Sequence, residues 1–173
     1  MNKTTIPKIK LEVVLQDVGK QLRQQKYEAA LLTLQKLLQA GMAQQFPLML
    51  QRYISELVFE CLEQAGEEEA ALDYCERAIA EYESQTLPVS VAVENDLAVL
   101  KFRRICLLVK LDQHLQAREA VSEYQQSRVQ DKSRYTKAFT RILKYSKATK
   151  NQLLKEQKQM GSFQLSQQLI VSG

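Results

Sequence analysis

KYEAALLTLQKLL, residues 26–38, sets Tyr27, Ala30, Leu31, Leu34, Leu37 and Leu38 three and four positions apart, with Glu28, Gln35 and Lys36 between them. That spacing gives a helix one apolar side, whereas a strand would need an apolar residue at every second position. The stretch returns further along. EAALLTLQKLL from Glu28 aligns with EAALDYCERAI from Glu69 at an offset of 41, and AREAVSEYQ from Ala117 follows Ala71 at an offset of 46. A small residue near the start of a helix lets its backbone approach a neighbour, so Ala30, Ala71 and Ala117 are expected at helix contacts.

Outward from this stretch the same period continues. Leu11, Val14, Leu15, Val18 and Leu22 form a stripe before it. After it come Leu50, Tyr53, Ile54, Leu57, Val58, Cys61, Leu62 and Ala65, and then Ala71, Tyr74, Cys75, Ala78 and Tyr82. From Leu97 to Leu111 nearly every position is apolar apart from Lys101, Arg103, Arg104 and Lys110, so that helix is expected to be packed on several sides. Ala117, Ala120, Val121 and Tyr124 make a sixth stripe. A seventh helix, capped by Asp131 or Ser133, would carry Tyr135, Ala138, Phe139 and Ile142, and a short one follows around Leu153 and Leu154.

Turn residues separate these stripes: Pro7, the run Gly41 to Pro47, Gly66, Ser84 to Pro88, and Asp112 to His114. Short corners lay consecutive helices antiparallel, so the first six read as three hairpins. With 173 residues, 45% of them apolar, and only five Gly and three Pro, the composition suits a regular helical domain. The expected class is all-α: a stack of three antiparallel hairpins plus a basic C-terminal helix. Residues 1–161 make one helical-repeat domain, with a capping helix from about 132, and 162–173 an apolar tail.

KYEAALLTLQKLL and GEEEAALDYCERAI resemble the second helix of tetratricopeptide repeats, on Tyr27, Glu28 and Ala30 in the first copy and Glu69, Ala71 and Ala78 in the second. The resemblance spans about residues 10–129. It implies an α-solenoid that holds other proteins. The chain departs from the family in its longer spacing than the usual repeat of about 34 residues, and in lacking the expected Trp, Gly and closing Pro.

Residues for several chemistries are missing. His114 is the single histidine and sits in a corner between helices, where capping or solvation accounts for it better than acid–base work. Cys61, Cys75 and Cys106 fall on helix stripes as small apolar residues, and their number and spacing suit neither a disulfide framework nor a metal site. The glycines are isolated, so no phosphate-cradling loop is formed. No catalytic residue, cofactor or metal is expected. The N-terminus MNKTTIPKIK has no apolar signal-peptide core, and no run approaches the ~20 apolar residues of a membrane span. These features point to the cytoplasm or nucleus and to no membrane.

Charge is divided unevenly. Residues 1–131 carry fifteen Lys and Arg against nineteen Asp and Glu, while 132–173 carry nine basic residues against Glu156 alone. On a helix, Arg134, Lys137, Arg141 and Lys144 lie within about 80° of one another, opposite the apolar side. They form the first candidate contact face. It could be a solvated surface, a dock for an acidic protein segment, or a phosphate-contacting face for nucleic acid. The second candidate is the acidic surface around Glu60, Glu63 and Glu67. Between positions 53 and 83 ten carboxylates face Arg77 alone.

The uncharged tail FQLSQQLIV either folds back across the stack or enters another chain, which would make a homo-oligomer. The reading that joins these features is a non-enzymatic adaptor or complex subunit that holds a protein through the stack and the basic helix. The alternative is a nucleic-acid-associated protein acting through the basic helix 132–158.

Overall fold

A computed structural model describes residues 10–84, 90–126, 150–161 and 163–171. Eight helices occur among them: α1 (Leu11–Arg23), α2 (Tyr27–Ala43), α3 (Leu48–Ala65), α4 (Glu68–Ser84), α5 (Val91–Lys110), α6 (His114–Gln126), α7 (Lys150–Met160) and α8 (Leu165–Val171). No strand occurs among the described residues. The helix expected around Leu153 and Leu154 is α7. The seventh helix read from Tyr135 to Ile142 lies outside the described residues, and so do Arg134, Lys137, Arg141 and Lys144.

The chain gathers into two compact units, the first made of residues 1–66 with 163–173 and the second of 67–162. In the first, α2 packs on both α1 and α3, while α8 lies against α1 and α3. Val18, Leu22, Ala30, Leu34, Leu37, Ile54, Leu57, Phe59 and Cys61 fill its core. Of the first stripe only Val18 and Leu22 are buried; Leu11, Val14 and Leu15 stay half-buried.

In the second unit α5 is the axis. It packs against α4, α6 and α7, and Phe102, Ile105, Cys106, Leu107, Leu108 and Val109 are buried along it. This is the consequence of an apolar surface too wide for one neighbour to cover. Phe102 meets Tyr124 of α6 with ring centroids 6.3 Å apart in a tilted pair, a favoured aromatic arrangement. Arg103 is fully buried on the same helix. Two of the other cations that interrupt the apolar run reach sideways. Lys101 pairs with Glu83, and Arg104 bridges Glu76 of α4 and Glu123 of α6 at 3.2 and 3.1 Å. Ala71, Cys75 and Ile79 close the α4 side, and Leu153 the α7 side. Ala30, Ala71 and Ala117 are all fully buried at helix contacts.

Three corners share one backbone solution. After α1, Lys26 N–H donates to Gln21 O and Gln25 N–H to Leu22 O. After α2 the same pair runs from Phe46 to Gly41 and from Gln45 to Met42; after α5 it runs from Gln113 to Leu108 and from Asp112 to Val109. This pair of hydrogen bonds satisfies carbonyls that a helix end leaves open and requires one left-handed residue. Those residues are Gln25, Gln45 and Asp112, with φ of 56°, 55° and 57°. None is glycine. The α3 and α7 ends use one, at Gly66 with φ 80° and Gly161 with φ 62°. At the start of α5, Ser90 Oγ accepts from Val93 N–H at 3.3 Å, the usual work of a serine cap.

A side chain in the left-handed region carries a cost of roughly 1 kcal/mol that glycine avoids. Gln25→Gly and Gln45→Gly should therefore each raise stability by about 0.5–1 kcal/mol in denaturant unfolding, even though glycine loosens the unfolded chain. A loss of stability at both positions would contradict the corner geometry.

Candidate functional site

The polar centre of the first unit is Glu60, in the middle of α3. It stands in the run LVFECL, residues 57–62, and is 2% exposed. A carboxylate taken from water needs donors, since an unmatched buried charge is very costly. The amides that open α8 supply them: Leu165 N–H donates to Oε1 and Ser166 N–H to Oε2, each at 2.7 Å. Each carboxylate oxygen thus satisfies one of the amides that a helix start leaves open, and the negative charge sits at the positive end of the helix dipole.

Around this pair the rest of the seat is built from α1 and α3. Gln64, one turn beyond Glu60, donates from Nε2 to Ser166 Oγ at 2.7 Å. At the opposite end of α8, Arg23 of α1 donates to the Ile170 carbonyl at 3.0 Å, placing a cation at the negative end of the dipole. Between the two ends Gly19 lets the backbones touch. A Cβ at Gly19 would stand 2.7 Å from the Leu169 carbonyl oxygen. Ser166 is buried, while Leu165, Leu169 and Ile170 are half-buried. Tyr53, two turns before Glu60, has its phenol pushed above the ordinary value, first by burial and then by the Glu60 charge.

The acidic surface read from sequence therefore needs correcting at Glu60, which is buried and bound to α8 rather than presented to water. Glu63 is half-buried on α3, and Glu67 is exposed just after Gly66. Several other acids of positions 53–83 are matched by cations beyond that window. Glu76 meets Arg104, Glu83 meets Lys101, and Glu68 meets the Lys150 ammonium that opens α7. Burial alone would raise the Glu68 carboxyl. The hydrogen bond and charge of Lys150, with its own backbone amide and Lys110, outweigh that and hold it below the ordinary value.

Lys155 and Lys158 are exposed on α7. His114 opens α6, half-exposed, with Nε2 3.7 Å from the exposed carboxylate of Asp112. The three thiols are buried. Cys61 donates to the Tyr27 carbonyl and Cys75 to the Leu100 carbonyl, both at 3.2 Å, and burial pushes the Cys61 thiol up to about 11. Such a thiol stays protonated at neutral pH. Among the described residues no group of His, Cys, Asp and Glu is placed to hold a metal ion. Also among them, no helix is long and apolar enough to cross a membrane.

Sequence reasoning missed Glu60, Gly19 and Arg23 as parts of one site. A signal for Glu60 was present: at 100° per residue it lies about 20° from Tyr53, inside the apolar stripe rather than opposite it. Gly19, a helix-weakening residue beside Val18 in an otherwise regular helix, was the second. What the arrangement does chemically is recognise a short helix by its backbone, at both ends and along one side. Compared with known proteins, the chain matches no family model, no curated protein and no solved structure.

Glu60→Gln leaves one acceptor for two amides and turns an NH2 toward the other, so the first unit should lose about 1.5–3 kcal/mol. Hydrogen exchange at Leu165 and Ser166 should speed up accordingly, and unchanged protection there would refute the capping role. Gly19→Ala is a test of sign: helix propensity alone predicts a gain of roughly 1 kcal/mol. The close approach predicts a loss while α8 is seated and a gain once Glu60→Gln has loosened it. In the second unit, the stability that Glu68 contributes is present above its unfolded-state pKa and is lost as pH falls through its lowered folded-state value. Glu68→Gln should flatten that acid limb in thermal melts taken across pH; an identical pH profile would exclude the pair as its source.

Proposed function

We propose that the chain is a non-enzymatic protein–protein interaction adaptor, or a subunit of a larger complex, built from tetratricopeptide-like helical hairpins. The observation that carries this reading is the α1–α3 surface, on which Glu60, Gly19 and Arg23 meet the backbone of a short helix and Gln64 meets its Ser166 hydroxyl. Docking an amphipathic helix into a groove between helices is a recurrent way for one protein to hold another. Backbone contacts at both helix ends make such a surface selective for a helix of one length, while the sequence it accepts is set by the side facing the groove.

A second feature supports the same reading. Met42, Leu48 and Met49 are exposed at the corner between α2 and α3, Met42 at 72% and Met49 at 71%. Methionines on a surface adapt to the shape of an apolar partner. The phosphate-binding alternative rests on the basic segment 132–158, of which Arg134, Lys137, Arg141 and Lys144 lie outside the described residues while Lys155 and Lys158 are exposed on α7.

The test uses the full chain with its own tail disabled by Ser166→Pro and Leu169→Asp, which remove an amide donor and an apolar contact. A labelled peptide of residues 162–173 should bind this chain saturably in fluorescence anisotropy, and adding Glu60→Gln should weaken it at least about tenfold. A peptide that fails to bind, or binds equally well without the Glu60 carboxylate, would remove the basis of the helix-holding reading.

A further inference from the structure

The seat for α8 is built on α1 and α3, and its hydrogen bonds from Glu60, Gln64 and Arg23 go to the backbone or to Ser166 of the seated segment. Any other copy of this chain carries an identical segment that would make the same contacts. Whether the seat takes its own helix or a neighbour's is then decided by the connection and by concentration, because the contacts are equal in the two cases.

The connection is short. α7 ends at Met160 and α8 begins at Leu165, which leaves residues 161–164 between them. Two of these are left-handed, Gly161 with φ 62° and Phe163 with φ 57°. Glycine takes that conformation freely, whereas for phenylalanine it sets Cβ against the following carbonyl. A short connection under backbone strain favours exchange of the element beyond it, since opening the hinge relieves the strain while the seat contacts are remade in another molecule. Leu165, Leu169 and Ile170 also stay half-buried in the seat, so apolar surface is left beside it for two exchanged chains to cover.

We propose that α8 is an exchanged element: two copies of the chain associate by each placing its Leu165–Val171 helix on the α1–α3 seat of the other, with Glu60 of one copy capping α8 of its partner. This rests on the reading of that surface as a helix-binding seat and names its occupant as a second copy. It makes association reciprocal, with two identical seats filled per dimer, and concentration-dependent.

Complementation tests it. One full-length variant, Gly19→Leu, has a blocked seat and an intact tail; the other, Ser166→Pro with Leu169→Asp, has an intact seat and a disabled tail. Unfolded and refolded together, they should form a one-to-one complex of twice the single-chain mass by light scattering, while each alone stays at the single-chain mass. The wild-type chain should pass from one chain to two between about 1 µM and about 1 mM, and Phe163→Gly should raise its dissociation constant about tenfold by relieving the hinge. A wild-type mass that stays at one chain across that range overturns the exchange, and so does a dimer that persists when both copies carry the disabled tail. The two readings fail separately: a peptide of residues 162–173 that binds the tail-disabled chain while no mixed complex forms ends the exchange and keeps the seat, whereas a peptide that does not bind ends both.

Discussion

A carboxylate cannot be left alone in an apolar core, and this requirement organises the first unit. Glu60 is enclosed by the packing of α3, and its two oxygens are matched by the opening amides of α8, 105 and 106 positions away. The match works in both directions. α8 is seven residues long, too short to hold its shape in water from propensity alone. Its dipole is complemented at one end by Glu60 and at the other by Arg23, so the seat supplies the stabilisation that the segment lacks. Gly19 completes the arrangement by having no side chain where the Leu169 carbonyl must pass.

The second unit is held differently. Its centre is α5, apolar on most of its circumference, with α4, α6 and α7 placed around it. Hydrophobic burial there is non-directional and would tolerate several arrangements of the neighbours. The charged side chains on the flanks of α5 narrow the choice. Arg104 reaches carboxylates on both α4 and α6, and Lys101 reaches Glu83. Tyr82 donates to the Asp96 carboxylate at 2.7 Å to tie the end of α4 to the first half of α5. Exposed ion pairs contribute little stability individually. Their effect is to favour one register of helix against helix.

The two units put carboxylates to opposite uses. On α4 they meet cations near the surface, where water screens both partners. On α3 a single one is enclosed and meets the neutral opening amides of α8. The expected acidic face around Glu60, Glu63 and Glu67 is thereby divided into residues with different environments rather than one continuous contact surface.

From the sequence alone, the helical class could be read, because amphipathic periodicity is a local property that needs no knowledge of the partner helix. The corners at Gly66 and at Asp112 to His114, the burial of Ala30, Ala71 and Ala117, the burial of the three cysteines and the central place of α5 follow from the same local pattern, whereas the corner at Gln25 carried no turn mark and Gly41, read as a turn residue, lies within α2. Tertiary structure alone decided which buried acid would be matched, by what, and where the tail would rest. Charge on Glu60 looks the same in a sequence whether it faces water or two amides more than a hundred residues away. The corners at Gln25, Gln45 and Asp112 lack the glycine that would have marked their left-handed turn. Spacing along a chain encodes which side of a helix is apolar; it does not encode which distant backbone will come to meet that side.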